Sequence, residues 1–324
     1  MEDNNVRRIY AIADIHLNND LVQKCDEKFP EYKTNTERIN DYKKYVKDMT
    51  FWGNEWENHQ QILEKNWDSL VKPNDIVILA GDNSWTKNLK DGKLDMTWIS
   101  QRPGIKIMGK GNHDYYFPES GPKIKQFESE FGIHILSAGH HYIDDDVIIV
   151  GTRLVDYDWN VWPFINPKTL VPEQLTVPFD EDKQKREIDR MNEELKVIKD
   201  NRSEKRMEIV VTHHPPFNEN GEESVISKEI VECAPNYCIY GHIHTLPRLF
   251  ELEEYKTVDD VIKRFHGVDC TIDKTHFELV SSDLRGHQLT LVTEIENPKT
   301  TQRTLKRKEK KMKKMAKKSQ KGKK

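Results

Sequence analysis

Ile76-Val77-Ile78-Leu79-Ala80-Gly81-Asp82-Asn83 is a run of apolar residues that passes through a glycine into an acid. A short continuous apolar run rich in Ile and Val suits a strand buried on both faces. The aspartate just past its carboxyl end stands where an open α/β sheet presents ligands. The same grammar repeats on either side. Residues 9–13 run into Asp14, 105–108 lead to Asn112, 209–212 to His213 and 238–240 to His242. Strands that end repeatedly on polar ligands predict an α/β fold whose site is built on loops at strand ends.

Five short motifs sit at those ends in one order: Asp14-Ile15-His16, Gly81-Asp82-Asn83, Gly111-Asn112-His113-Asp114, His213-His214-Pro215 and Gly241-His242-Ile243-His244. Each alone is weak, because Asp-x-His and Gly-Asp arise by chance, but the ordered set is specific. Carboxylate, imidazole and amide oxygen are hard or borderline donors that suit Mn, Fe, Zn or similar divalent ions, and no thiolate enters any motif. The glycines allow sharp turns in which backbone approaches the ligands closely.

The ordered set resembles the calcineurin-like metallophosphoesterases, over residues 8–293. The resemblance implies a four-layer α/β/β/α sandwich of two mixed sheets, the second taking residues 133–136, 147–151, 276–281 and 288–292. It implies two divalent metal ions as cofactors, the first held by Asp14, His16, Asp82 and His244, the second by Asp82, Asn112, His213 and His242. Asp82 would bridge by offering one oxygen to each ion. The neutral Asn112 would leave the centre positive and attractive to phosphate. The implied chemistry is hydrolysis of a small phosphomonoester or phosphodiester by a hydroxide bridging the two metals. His113 would protonate the leaving oxygen or stabilise the transition state. Asp114 would either hold His113 charged or cap a turn.

His213 and His214 compete for one place; His213, nearer the strand end, is the expected ligand, and His214 is expected either to support the ligands from behind or to face substrate. Arg153, between a strand and an aromatic loop, is a candidate phosphate clamp, with a surface ion pair as its ordinary alternative. His59 is expected on a helix surface or beneath aromatics. His134, His140, His141, His266, His276 and His287 stand outside every motif and are expected to be structural.

Trp52-Gly53, Trp56-Glu57-Asn58-His59, Gly81 to Trp85 and Lys110 to Tyr115 resemble a group of uncharacterised microbial phosphohydrolases. Protein Ser/Thr phosphatases of the superfamily carry Asp-Arg-Gly after the Gly-Asp motif and read Gly-Asn-His-Glu. This chain has neither, which disfavours phosphoprotein substrates. The alternatives are a nuclease or nucleic-acid-associated phosphodiesterase, and an adaptor with a vestigial metal site.

The chain has 324 residues and net charge −4, which conceals a split. Residues 302–324 hold 13 Lys and Arg against one Glu, leaving 38 basic and 54 acidic residues before them. The organisation expected is a catalytic domain over 1–301 and a disordered basic tail over 302–324, available to nucleic acid or another anionic surface. No apolar run reaches the roughly 18 residues of a membrane helix, so no transmembrane segment is expected. The four cysteines show no Cys-x-x-Cys spacing, which fits a reducing cytoplasm.

Trp56, Leu63, Trp67 and Leu70 recur at helical spacing, as do Ile188, Met191, Leu195 and Ile198. Both sets predict helices packed on a sheet. Residues 18–55 read as an irregular insertion or a surface helix. Residues 154–182, with several Trp and Pro, read as an active-site wall or lid.

Overall fold

Alternate side chains of a strand point to opposite faces, so a strand apolar on both faces must be covered twice. The computed structural model satisfies this demand with four layers. It describes residues 6–28, 49–51, 53–90, 92–156, 162–166, 169–173, 180–244 and 246–296. The basic segment 302–324 and part of each of 18–55 and 154–182 lie outside them.

Among the described residues the strands are, in chain order, β1 (Val6–Ile12), β2 (Ile76–Leu79), β3 (Ile105–Met108), β4 (Ile133–Ile135), β5 (Tyr142–Ile143), β6 (Val147–Gly151), β7 (Phe164–Ile165), β8 (Pro172–Glu173), β9 (Met207–Val211), β10 (Tyr237–Tyr240), β11 (Asp269–Ile272), β12 (Thr275–Leu279) and β13 (Thr290–Glu296). The helices are α1 (Asn19–Lys28), α2 (His59–Leu70), α3 (Lys93–Gln101), α4 (Gly121–Phe131), α5 (Glu181–Asn201), α6 (Val225–Cys233) and α7 (Val258–Arg264). None is long and apolar enough to cross a membrane.

The first sheet has the order β13-β1-β2-β3-β4 and the second β11-β12-β10-β9-β6-β5. Both are mixed: parallel in the centre, with antiparallel pairs β1–β13, β11–β12 and β5–β6 at the edges. Ile9 and Ala11 of β1, Ile76 and Ile78 of β2, and Val147 and Ile149 of β6 point into the layer between the sheets. Their neighbours Tyr10, Ile12, Val77 and Leu79 face α2, α3 and α4, through Leu63, Trp67, Met96, Ile99 and Phe127. Ile148, Val150 and Val210 face α5 and α6, through Met191, Leu195, Ile226 and Ile230.

The two sheets meet at their carboxyl ends. The Ala13 amide donates to the Val280 carbonyl (2.9 Å) and the Ser282 amide to the Ala13 carbonyl (3.0 Å). That seam carries Asp14 on one side and residues 281–283 on the other.

Two of the four segments expected in the second sheet belong to the first. Residues 133–135 pair with β3 in parallel, and residues 290–296 pair with β1 antiparallel. An apolar strand can be recognised in the sequence, but its partner is set by which edge lies within reach. Val292 faces the inter-sheet layer, while Ile133 and Ile135 face α4.

The tryptophan-bearing helix is also shorter than its spacing suggests. Asn58 takes φ 58°, which separates the turn holding Trp56 from α2, and Leu70 is 41% exposed at the far end. Trp56 is buried, but against histidines of the site. The second helix packs as expected, with Met191, Leu195 and Ile198 buried and Ile188 beside them.

Trp67 is fully buried and its Nε1–H donates to the Pro103 carbonyl at 2.9 Å. Trp67→Ala should therefore cost about 3–5 kcal/mol of unfolding free energy, read as a lower urea midpoint. A loss under about 1 kcal/mol would show that α2 is not part of this core.

Candidate metal centre

Strand ends deliver the ligands, and left-handed backbone turns them inward. Asp14 (φ 61°), His16 (φ 45°), Asp82 (φ 53°) and His242 (φ 77°) all occupy the region that non-glycine residues avoid. Each such residue costs about 1–3 kcal/mol and persists only where its surroundings hold it. Gly81 belongs to the same turn at φ +97°, where a Cβ would lie 2.5 Å from the His213 Nδ1. At Gly111 a Cβ would collide with the Asp82 carboxylate.

Two groups of donors result. Asp14, His16, Asp82 and His244 each turn one ligand atom into one small volume, and His213, His214 and His242 do so beside it. In the first group His16 Nε2 lies 3.0 Å from His244 Nε2, which is 3.2 Å from Asp14 Oδ1. In the second, Asn112 Oδ1 lies 2.8 Å from His213 Nε2 and 2.9 Å from His242 Nδ1. Such separations suit donors that share one cation at bonds of roughly 2.0–2.2 Å. Asp14 Oδ1 is buried without a hydrogen-bond partner, which a cation would supply.

Asp82 stands between the groups. Its Oδ1 accepts the His113 amide (2.8 Å), while Oδ2 is 3.9 Å from His16 Nε2 and 3.5 Å from His213 Nε2. The oxygen facing both groups is thus a single one, not one oxygen for each.

The electrostatics favour positive charge here. Burial lowers the His213 imidazole, but Asp82, Asp14 and the Ala80 carbonyl outweigh it and raise it to about 9. Burial works to raise Asp14, yet His244 and His213 hold its carboxyl below the ordinary range. The ring orientations suit ligation too. His213 Nδ1 is 3.0 Å from the Ala80 carbonyl, which can only accept, so Nδ1 carries a proton and Nε2 is the nitrogen that a cation would take in place of its proton.

Three partners of this kind escape a motif search. Asp283 Oδ2 lies 3.5 Å from His244 Nδ1. Ser281 Oγ and the His242 amide both donate to Asp14 Oδ2, at 2.8 and 2.9 Å. Asp156 Oδ1 lies 2.8 Å from His214 Nδ1 and 3.1 Å from His242 Nε2. The strand-end rule would have found Ser281 and Asp283, since they follow β12. Asp156 carried only the signal of lying in the expected wall. Trp85 stacks on His16, with ring centroids 4.5 Å apart and planes 14° from parallel.

His113 also lies against Trp85 (4.4 Å), and its side chain is 32% exposed, so it borders the donors and faces outward. Asp114 turns the other way. It is fully buried, and its oxygens accept from the amides of Gly111 (2.8 Å), Asn83 (2.9 Å) and Ser84 (3.2 Å) and from Asn83 Nδ2 (3.0 Å). These bonds tie the loop at residues 83–84 to the loop at residues 111–114. Burial and Asp82 push the Asp114 carboxyl up to about 6.

His214 is buried and grouped with His213 and His242 rather than exposed toward a cleft. Burial and His242 lower its imidazole to about 3, against Asp156. Arg153 is not among the donors; its carbonyl accepts the His213 and His214 amides (3.1 and 3.0 Å), and the residue also lines a cavity that none of the donors lines. His59 lies beneath Trp56 as expected (5.2 Å). His287 is buried against the same ring at 4.6 Å, a structural place although it neighbours the site.

Asp114→Asn should lower unfolding free energy by about 1–3 kcal/mol, because one acceptor oxygen becomes a donor facing backbone N–H groups. Unchanged stability together with a displaced pH–rate profile would favour a role in charging His113.

The calcineurin-like phosphoesterase family pattern matches residues 7–246. An uncharacterised protein of Methanocaldococcus jannaschii is 27% identical over 168 residues, covering 50% of this chain and 78% of that protein. The gene 66 protein of Mycobacterium phage L5 is 43% identical over 58 residues, covering 18% and 28%. Among solved structures, phosphopantetheinyl hydrolase from Mycobacterium tuberculosis aligns over 90% of this chain and 98% of its own at 13% identity and TM-score 0.45. A protein of unknown function from Aquifex aeolicus aligns over 87% and 94% at 12% identity and TM-score 0.36.

Proposed function

We propose, from the premise that this chain belongs to the calcineurin-like phosphoesterases, that it hydrolyses small phosphoesters at a centre holding two divalent cations. The observation that carries this is Asp82 Oδ2, which faces His16 Nε2 and His213 Nε2 from between the two donor groups. We assign one cation to Asp14, His16, Asp82 and His244, and the second to Asp82, Asn112, His213 and His242. Two such cations supply an acidified water and offset charge at phosphorus.

The protein's own groups then divide the work. The Ala80 carbonyl orients the His213 ring so that Nε2 faces the donors, and the Asp283 carboxylate lies 3.5 Å from His244 Nδ1, on the other side of that ring from Nε2. Trp85 packs against both the His16 and the His113 rings and so restrains their orientation. His113, partly exposed and tied by its amide to Asp82, is placed to give a proton to the leaving oxygen. Asp156 holds the His214 and His242 rings together, which leaves His242 Nδ1 toward Asn112. His214 thus acts as a support for His242, not as a contact for substrate. The free thiols of Cys233, Cys238 and Cys270 suit a reducing, cytoplasmic setting. The basic segment 302–324 lies outside the described residues and enters no step.

Purified protein should bind two divalent ions and hydrolyse aryl phosphates best with Mn²⁺ or a similar transition ion, and a chelator should abolish turnover. Asp82→Ala should lose both ions by elemental analysis. Full turnover in demonstrably metal-free protein would falsify the reading; tight metal binding with no turnover across mono- and diesters would favour the adaptor.

His113→Ala should keep both ions but lower kcat by about 10²–10⁴-fold, with a smaller loss for esters of very acidic leaving groups. Loss of an ion in that variant would make His113 a ligand instead.

A further inference from the structure

Beside the donor groups lies a cavity of about 430 Å³ lined by Lys110, Glu119, Thr152, Arg153, Glu187 and Arg190, among others. We propose that this cavity takes a second anionic group of the substrate, a phosphate remote from the one that is hydrolysed. The inference rests on the phosphoesterase reading and adds to it a substrate class: small molecules carrying two phosphate groups.

Position comes first. Lys110 precedes Asn112 by two residues, and the Arg153 carbonyl holds the His213 and His214 amides, so two residues of the cavity wall adjoin the second donor group. None of the donors themselves lines it. An anion held there is therefore a different group from the reacting phosphate, and Arg153 clamps that group instead.

The lining is a built one. Thr152 is 8% exposed, and its Oγ1 is buried with no hydrogen-bond partner in the protein. A buried hydroxyl without a partner is uncommon and offers a donor to an incoming oxygen. Arg153 is steadied by its Nε–H on the Leu154 carbonyl at 3.3 Å. Three cations face two carboxylates, and each carboxylate already has a cation: Glu119 pairs with Lys110, and Glu187 with Arg190. Glu119 is held below its usual range by Lys110 first, with Arg190 and Arg153 adding to it, so the three cationic groups converge on one region. A phosphate there would meet a guanidinium suited to bidentate pairing and a hydroxyl donor, with net positive charge around it.

The test uses the full chain loaded with Mn²⁺. Calorimetric titration with inorganic phosphate should resolve two sites in the wild type. Arg153→Met and Thr152→Val should each weaken one of them by at least about ten-fold, the effect of losing a hydrogen bond to a charged group. A single site in the wild type, or two variants that bind as the wild type does, would overturn the proposal. Thr152→Val is nearly isosteric, so it keeps the test decisive if Arg153→Met folds poorly. A second arm separates a substrate group from free phosphate. The ratio of kcat/KM for a nucleoside 3′,5′-bisphosphate to that for the 5′-monophosphate should fall about ten-fold in Arg153→Met. A phosphate site that persists while this ratio is unchanged would refute the assignment to substrate. Failure of the phosphoesterase reading shows separately, as absent hydrolysis of aryl phosphates with the phosphate titration intact.

Discussion

The Asp82 carboxylate is the constraint on which the rest of the centre depends. One oxygen is fixed by the His113 amide and the other faces imidazoles from both donor groups, so a single side chain sets the spacing of everything around it. It is buried together with Asp14, a second carboxylate, which is tolerable only if positive charge is brought to both. The surrounding histidines can supply that charge as protons, and divalent cations supply it with donors already in place. On the proposed reading, folding and metal binding would be coupled through the same few atoms.

Holding such a cluster requires backbone that the sequence would not choose locally. Four of the donor-bearing residues lie at positive φ, and the loops that carry them are tied to one another through Asp114, Ser281 and the Ala80 carbonyl. The strain is sustained by two well-packed sheets and their helices. The seam between Ala13 and Val280 gives the strain a fixed frame, because it joins the sheets at the ends from which the ligand loops leave. This division explains why residues remote from the chemistry, such as Trp67, and residues beside it, such as Asp114, both serve stability, while the His113 side chain stays partly exposed.

Arg153 shows how one residue can serve two neighbouring regions. Its carbonyl accepts the His213 and His214 amides, and the residue also lines the adjoining cavity. A sequence position next to a ligand therefore says that a residue is near the site, without saying which compartment it serves.

Much of the architecture was legible in the chain itself. Apolar runs ending on Asp14, Asp82, Asn112, His213 and His242 announced strands and their ligand loops, because burial on both faces and a turn into polar residues both leave marks in local sequence. The stripe Met191, Leu195 and Ile198 likewise announced its helix. Sheet membership was not legible for residues 133–135 and 290–296, since hydrogen bonding between strands is non-local and an apolar strand suits any open edge. Nor were the partners Asp156 and Asp283, the loop-tying bonds of Asp114, or the separation of Arg153 from the donors. Those depend on where a side chain points after distant segments have packed, and tertiary structure alone decides that.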